Sequence, residues 1–277
     1  MRILLGFGHA PSTQPTRDEL SNRGATKIKM IKPTFLNTED RPTIIGHVFN
    51  TPLVVKGITG IPLLELVAWG MLSWVAGRNH PEWSSVKKVT AGALTSLILF
   101  ASEWGHNLAH TAAAQRIGKP VDAVRIAWGT PLLIYYDIND QNVSPRQHIL
   151  RASGGPIFNA LLVPICWLGK QLTQEDTLPR YVADFALGTN IFISTVALLP
   201  IPGIDGGPIL KWSLVERGQS PQIADETVKK VNLALGSGLA VTAGVALKKR
   251  RKWLGVTIGA FALTSLAIGL GLLREHK

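Results

Sequence analysis

Only one cysteine, Cys166, occurs in 277 residues, and it lies within an apolar run. A disulfide framework and a cysteine-based metal cluster are therefore excluded within one chain, and the thiol reads as packing. Charge is also scarce: 17% of residues are Asp, Glu, Lys or Arg, against about 25% in soluble globular domains. Acidic residues are the scarcer sign, 18 against 29 Lys plus Arg, for a net charge of +11. A nucleic-acid-binding domain would gather that excess on one soluble face, interleaved with aromatics. Here the basic residues fall mostly between apolar stretches, as lipid headgroup contacts do. The expected partner is the lipid bilayer and not nucleic acid. The opening Ile3-Leu4-Leu5-Gly6-Phe7 is too short for a signal-peptide core, and no clear cleavage site follows it.

What the chain has instead is apolar length. Hydrophobic residues make up 46%, with 27 Gly and 17 Pro along the chain, both more frequent in transmembrane than in soluble helices. Apolar runs lie near 57–76, 90–117, 153–170, 183–201, 231–247 and 253–273. Most approach the roughly 20 residues needed to cross a 30 Å hydrocarbon core. The pattern predicts an all-α, multi-pass integral membrane protein with about six transmembrane helices. The fourth run should end at Pro200 and Pro202, and the Gly- and Ala-rich fifth should pack closely on a neighbour. Three regions follow: a soluble arm, 1–56; a membrane core, 57–210; and an amphipathic connector with two C-terminal transmembrane helices, 211–277. The arm carries His9 and His47, which read as ordinary histidines, and has enough β-formers within 24–51 for a few short strands. Between the second and third runs, Val121–Trp128 and Leu132–Asp137 flank Gly129-Thr130-Pro131. This predicts a membrane-associated β-hairpin, either a plain connector or an edge that an extended peptide joins.

The chemistry-bearing stretch is Ser102-Glu103-Trp104-Gly105-His106-Asn107-Leu108-Ala109-His110, inside the second run. His106 and His110 are four apart, so on a helix they lie about 40° from each other and one turn apart, the presentation two imidazoles need to share a zinc ion. Ionisable and polar groups at membrane depth are expensive and usually functional. Glu65, alone in the first run, reads as protonated structure, a partner for a basic side chain, or a catalytic carboxyl. The fourth run carries Asn190 and ends Leu198-Leu199-Pro200-Ile201-Pro202-Gly203-Ile204-Asp205-Gly206-Gly207. A carboxylate at a proline-broken helix end, with glycines letting backbone come close, suits a third zinc ligand. Two histidines and Asp205 leave the fourth position to water, the arrangement of a catalytic zinc. The third run opens Gly154-Gly155-Pro156-Ile157-Phe158-Asn159, with glycine for close helix contact and an amide one turn inside.

These stretches, in this order on successive apolar runs, resemble the site-2 protease family of intramembrane zinc metalloproteases over roughly residues 90–215. The resemblance implies that His106, His110 and Asp205 bind zinc, that Asn159 lies near the substrate or the oxyanion, and that the substrates or partners are transmembrane segments of other membrane proteins. It also implies that the zinc lies nearer the cytoplasmic face, which would put Lys248–Lys252 outside, although five basic residues in a short loop favour the inside. Two departures matter. The family's general base is the Glu after the first histidine, where this chain has Asn107, and Ala197 stands where relatives often have asparagine. An amide cannot take a proton from water. Glu103, one turn before His106, is the one candidate for a displaced base. The expectation is a zinc-binding protein with lost or strongly reduced peptidase activity. The alternative is a non-catalytic membrane scaffold or assembly subunit without metal. A transporter is less supported, because no repeat of the helices is visible.

Overall fold

The computed structural model describes residues 42–135 and 142–273. His9, most of the arm and Asp137 lie outside the described residues. In chain order the elements are β1 (Thr43–Val48), β2 (Thr51–Val55), a short 3-10 turn, α1 (Leu63–Asn79), α2 (Ser85–Arg116), β3 (Ala123–Ala127) and β4 (Thr130–Ile134). Then follow α3 (Pro145–Gln171), α4 (Leu178–Ala197), α5 (Gly206–Glu216), α6 (Pro221–Lys248) and α7 (Lys252–Gly269). The protein is mostly helical, with a small sheet beside the helices. Each of the six apolar runs falls largely on one of α1, α2, α3, α4, α6 and α7. Three of these, α3, α6 and α7, are long and apolar enough to cross a membrane, and the chain is an integral membrane protein.

Helix starts follow from local chemistry. The hydroxyls of Ser84, Ser144, Thr177 and Ser220 accept hydrogen bonds from the amides of Lys87, Gln147, Arg180 and Ile223, satisfying donors that a first turn leaves orphaned. At Ser144 the Gln147 side chain returns the bond, completing a capping box, and Pro145 follows at the first helical position. Between apolar helices in lipid there is little hydrophobic drive, so contact depends on small residues that let backbones approach. Gly92 of α2 lies against Ser73 of α1, and a Cβ on Gly154 of α3 would come within 2.6 Å of the Ala109 carbonyl of α2. In the C-terminal pair, Gly269 of α7 lies against the backbone of Leu233 in α6.

The sheet has the order β1-β2-β3-β4. Two antiparallel hairpins are joined by a parallel pairing of β2 with β3, Leu53 opposite Val124 and Val55 opposite Ile126. Both turns have two residues with positive φ, Phe49-Asn50 at 45° and 61° and Trp128-Gly129 at 56° and 98°, the geometry that matches strand twist in two-residue hairpins. The second hairpin is the one expected around Gly129. Residues 43–55, counted with the arm in the sequence, share its sheet, because a parallel pairing of strands almost 70 residues apart leaves no local trace. The sheet covers the end of α2 through Val121, Val124 and Ala114. Its second turn is clamped on two sides: Trp104 Nε1–H of α2 donates to the Gly129 carbonyl at 3.0 Å, and the Leu64 amide of α1 donates to the Trp128 carbonyl at 3.1 Å.

Candidate metal centre

α2 brings His106 and His110 to one buried face, and the turn after α4 places Asp205 opposite them at the start of α5. His106 Nε2 lies 3.0 Å from Asp205 Oδ2, His110 Nε2 lies 3.2 Å from Asp205 Oδ1, and the two Nε2 atoms are 3.1 Å apart. Ligand atoms about 2.0–2.2 Å from a tetrahedral zinc are themselves about 3.3 Å apart or slightly more. The three atoms therefore need only a few tenths of an ångström of expansion to hold the ion.

Two further observations fit a metal. A Cβ built on Gly155 would overlap Nε2 of both His106 and His110, so the glycine at the head of the Gly-Pro stretch keeps that space clear. His110 Nδ1 lies 2.7 Å from the Arg151 carbonyl, which can only accept, so Nδ1 carries a proton and Nε2 is the nitrogen left to a metal beside Asp205. The Gly155 amide is a more distant neighbour of the same nitrogen, at 3.3 Å. His106 Nδ1 lies 2.6 Å from Oδ1 of Asn159.

The triad opens on a cavity of about 560 Å³. Asn107 lines it beside His106 and His110, at the position where the expected base would stand. Its Nδ2 donates to the Glu103 carbonyl at 3.0 Å. Glu103 itself does not line this cavity; the charged groups it feels are Glu65 of α1 and His106. Glu65 also lies away from the triad, its carboxylate packed over Gly129 at the hairpin turn. His47 is on β1, away from the cavity.

Asn159 meets His106 at its other ring nitrogen. It is fully buried, does not line the cavity, and its amide is engaged by His106 and by Asn190, to whose Oδ1 its Nδ2 donates at 2.8 Å. Its side chain is turned to these two partners, on the Nδ1 side of His106. The physical reason is the spacing along α3: Gly155 faces the Nε2 edge of the imidazole, and Asn159, one turn on, reaches only its Nδ1 edge.

The sequence reading missed the polar wall of the cavity. His148 stacks on Trp212 with centroids 3.8 Å apart and accepts from Arg151 at 2.9 Å. The Arg151 guanidinium lies over the Tyr135 ring, 4.5 Å from its centroid, and Lys211 pairs with Asp225 at 2.8 Å. Burial pushes the Tyr135 hydroxyl up to about 12 despite Arg151, so the phenol keeps its proton and remains a donor. The spacing of His148 and Arg151, three apart just ahead of Gly154-Gly155, was the available signal for this wall.

Two curated relatives match the sequence. A protein named "Putative zinc metalloprotease" from Synechocystis is 24% identical over 232 residues, covering 80% of this chain and 55% of that protein. A second with the same designation, from Methanocaldococcus jannaschii, is 27% identical over 71 residues, 26% of this chain and 37% of that one. The chain is similar to zinc metalloproteases. It spans about half the length of the first of these metalloprotease relatives and less of the second. Among solved structures, a Site-2 Protease from Methanocaldococcus jannaschii aligns over 86% of this chain and 97% of that chain, with a TM-score of 0.47 and 12% identity. No protein-family model matches.

Proposed function

We propose that the chain is a site-2-protease-like intramembrane protein that binds zinc through His106, His110 and Asp205 and whose peptide hydrolysis is lost or strongly reduced. One observation carries this reading: the triad is assembled, while the cavity-lining residue beside it is Asn107. When bound, zinc would polarise a substrate carbonyl and make a nearby water more acidic. Asn107 can orient that water by hydrogen bonding, but its amide cannot hold the proton. Positioned general base catalysis is worth about 10² to 10⁴ in rate. Glu103 is absent from the cavity wall, which argues against it as a displaced base.

The remaining lining supports binding of a membrane segment. Leu132, Leu133, Phe192, Ile193 and Val196 form an apolar flank, and β4 is an edge strand among the described residues. An unwound end of another protein's transmembrane helix can add to that edge by backbone hydrogen bonds, with its side chains in the cavity.

The test is zinc content of the detergent-purified chain, followed by cleavage of a model transmembrane peptide. The expected result is one zinc per chain, lost in His106→Ala and Asp205→Ala, with cleavage appearing only in Asn107→Glu. Wild-type cleavage abolished by Glu103→Ala would replace the reading with an active protease using a displaced base. A wild-type chain without zinc would leave the metal-free scaffold.

A further inference from the structure

Behind the triad runs a chain of buried side chains that no part of the catalytic reading uses. Asn159 Oδ1 faces His106 Nδ1 at 2.6 Å, Asn159 Nδ2 faces Asn190 Oδ1 at 2.8 Å, and Asn190 Nδ2 faces the Ala186 carbonyl at 2.9 Å and Ser102 Oγ at 3.2 Å. Asn159 and Asn190 are 0% and 2% exposed, and Ser102 is buried with them. The groups come from three helices: Ser102 and His106 from α2, Asn159 from α3, Asn190 and Ala186 from α4.

The direction of this chain is fixed at its far end. An amide can present either its oxygen or its nitrogen to a neighbour, and an imidazole can carry its proton on either nitrogen, so the His106–Asn159–Asn190 contacts alone allow two opposite arrangements. The Ala186 carbonyl allows one, because it only accepts and Asn190 must turn Nδ2 towards it. Asn190 Oδ1 then faces Asn159, which must answer with Nδ2. That leaves Asn159 Oδ1 towards His106, so His106 Nδ1 carries a proton and donates it to Asn159, while Nε2 is turned to Asp205 and the metal position. The reverse arrangement would set two carbonyl oxygens about 2.9 Å apart and leave a buried hydrogen bond unmade.

We infer that Asn190 and Asn159 are positioning residues that keep a proton on Nδ1 of His106 and hold its ring with Nε2 towards the metal position, with the backbone carbonyl of Ala186 as the element that fixes the direction. The inference rests on the reading of His106 as a metal ligand, but the contact of its Nδ1 with Asn159 exists without metal. The aligned amide dipoles reinforce one another, and the relay does for His106 what the Arg151 carbonyl does for His110 in one step.

The experiment reads both the tautomer and the metal. ¹⁵N spectra of ring-labelled histidine in the metal-free protein, assigned with His106→Ala, distinguish Nδ1–H from Nε2–H. Zinc titration of the same preparations gives Kd. The wild type is expected with Nδ1 protonated, as Nδ1–H or, with Asp205 taking a second proton's bond at Nε2, as the imidazolium. Asn190→Leu, which keeps the branched shape but removes the amide, is expected to give a mixed or Nε2–H signal and to raise the zinc Kd about 10- to 100-fold, the usual effect of losing a group that orients a ligand. Ser102→Ala removes a link but leaves the Ala186 carbonyl in place, so both tautomer and Kd should stay near wild type. The Nε2–H tautomer of His106 in the metal-free wild type overturns the relay without any variant. So does Asn190→Leu with unchanged tautomer and Kd. A wild type that shows Nδ1–H but binds no zinc overturns the metal reading and leaves the relay standing.

Discussion

At the scale of single residues, the centre depends on one absent side chain as much as on three present ones. A Cβ on Gly155 would lie 2.4 Å from Nε2 of both histidines and push those ligand atoms out of place. Gly155→Ala is therefore expected to abolish stoichiometric zinc binding. Its helix should survive, since alanine is the better helix former by about 1 kcal/mol. Metal analysis beside far-UV circular dichroism checks this: zinc retained with unchanged helicity would show that the ion sits elsewhere. Glu103→Ala, by contrast, should leave zinc content at the wild-type level. Much of this site was legible in the sequence, because two imidazoles one turn apart and a carboxylate among Pro and Gly are local patterns with a direct chemical meaning. The placement of Asn159 was not. Its distance from Gly155 is local, but which edge of the imidazole it meets depends on how α3 leans on α2, and that is set by Gly154 against the Ala109 carbonyl.

At the scale of elements, the hairpin β3–β4 links the edge strand beside the cavity to the first two helices. Gly129 has φ 98°, and any side chain there would overlap the Glu65 carboxylate, so it is doubly constrained. Trp104 donates its indole N–H to the same residue's carbonyl. Trp104→Phe keeps an aromatic side chain but deletes that bond, worth about 0.5–1.5 kcal/mol, and part of the ring's packing, while Gly129→Ala should cost more because strain and overlap add. Thermal unfolding in detergent is expected to rank them wild type, then Trp104→Phe, then Gly129→Ala. An unchanged midpoint for Gly129→Ala would mean that the turn is not held between α1 and α2. The hairpin was readable from two β-prone stretches around Gly and Pro, and the helix starts from Ser and Thr ahead of Pro. The parallel pairing of β2 with β3 was not, since nothing in either strand marks a partner beyond the whole of α1 and α2.

At the scale of the whole molecule, the cavity fixes which ends of the spanning helices share a side. α3 begins there, with Arg151 and Ala152 in its wall, and α6 begins there too, with Asp225 and Val228. From Arg151 to the end of α3 and from Val228 to the end of α6 the chain runs 20 residues each, about 30 Å at 1.5 Å per residue, which is the thickness of the hydrocarbon core. Both helices thus finish on the face away from the cavity, and the 172–177 loop and the Lys248–Lys252 loop belong to the same side. The α5–α6 turn, two helical turns from Lys211 and Trp212 of the wall, belongs to the other. In a Cys166→Ala background, Gln174→Cys and Lys249→Cys are expected to react with a membrane-impermeant thiol reagent from one side and Arg217→Cys only from the opposite side. The same data decide between two pulls on orientation. Five basic residues in a short loop favour the cytoplasm by charge, whereas the resemblance to site-2 proteases places that loop outside. Labelling of Lys249→Cys in intact cells would bear out the resemblance; protection until the cells are opened would show that charge prevails and that the metal centre lies nearer the outer face. Labelling of Gln174→Cys and Lys249→Cys from opposite sides would mean that one of α3 and α6 does not span.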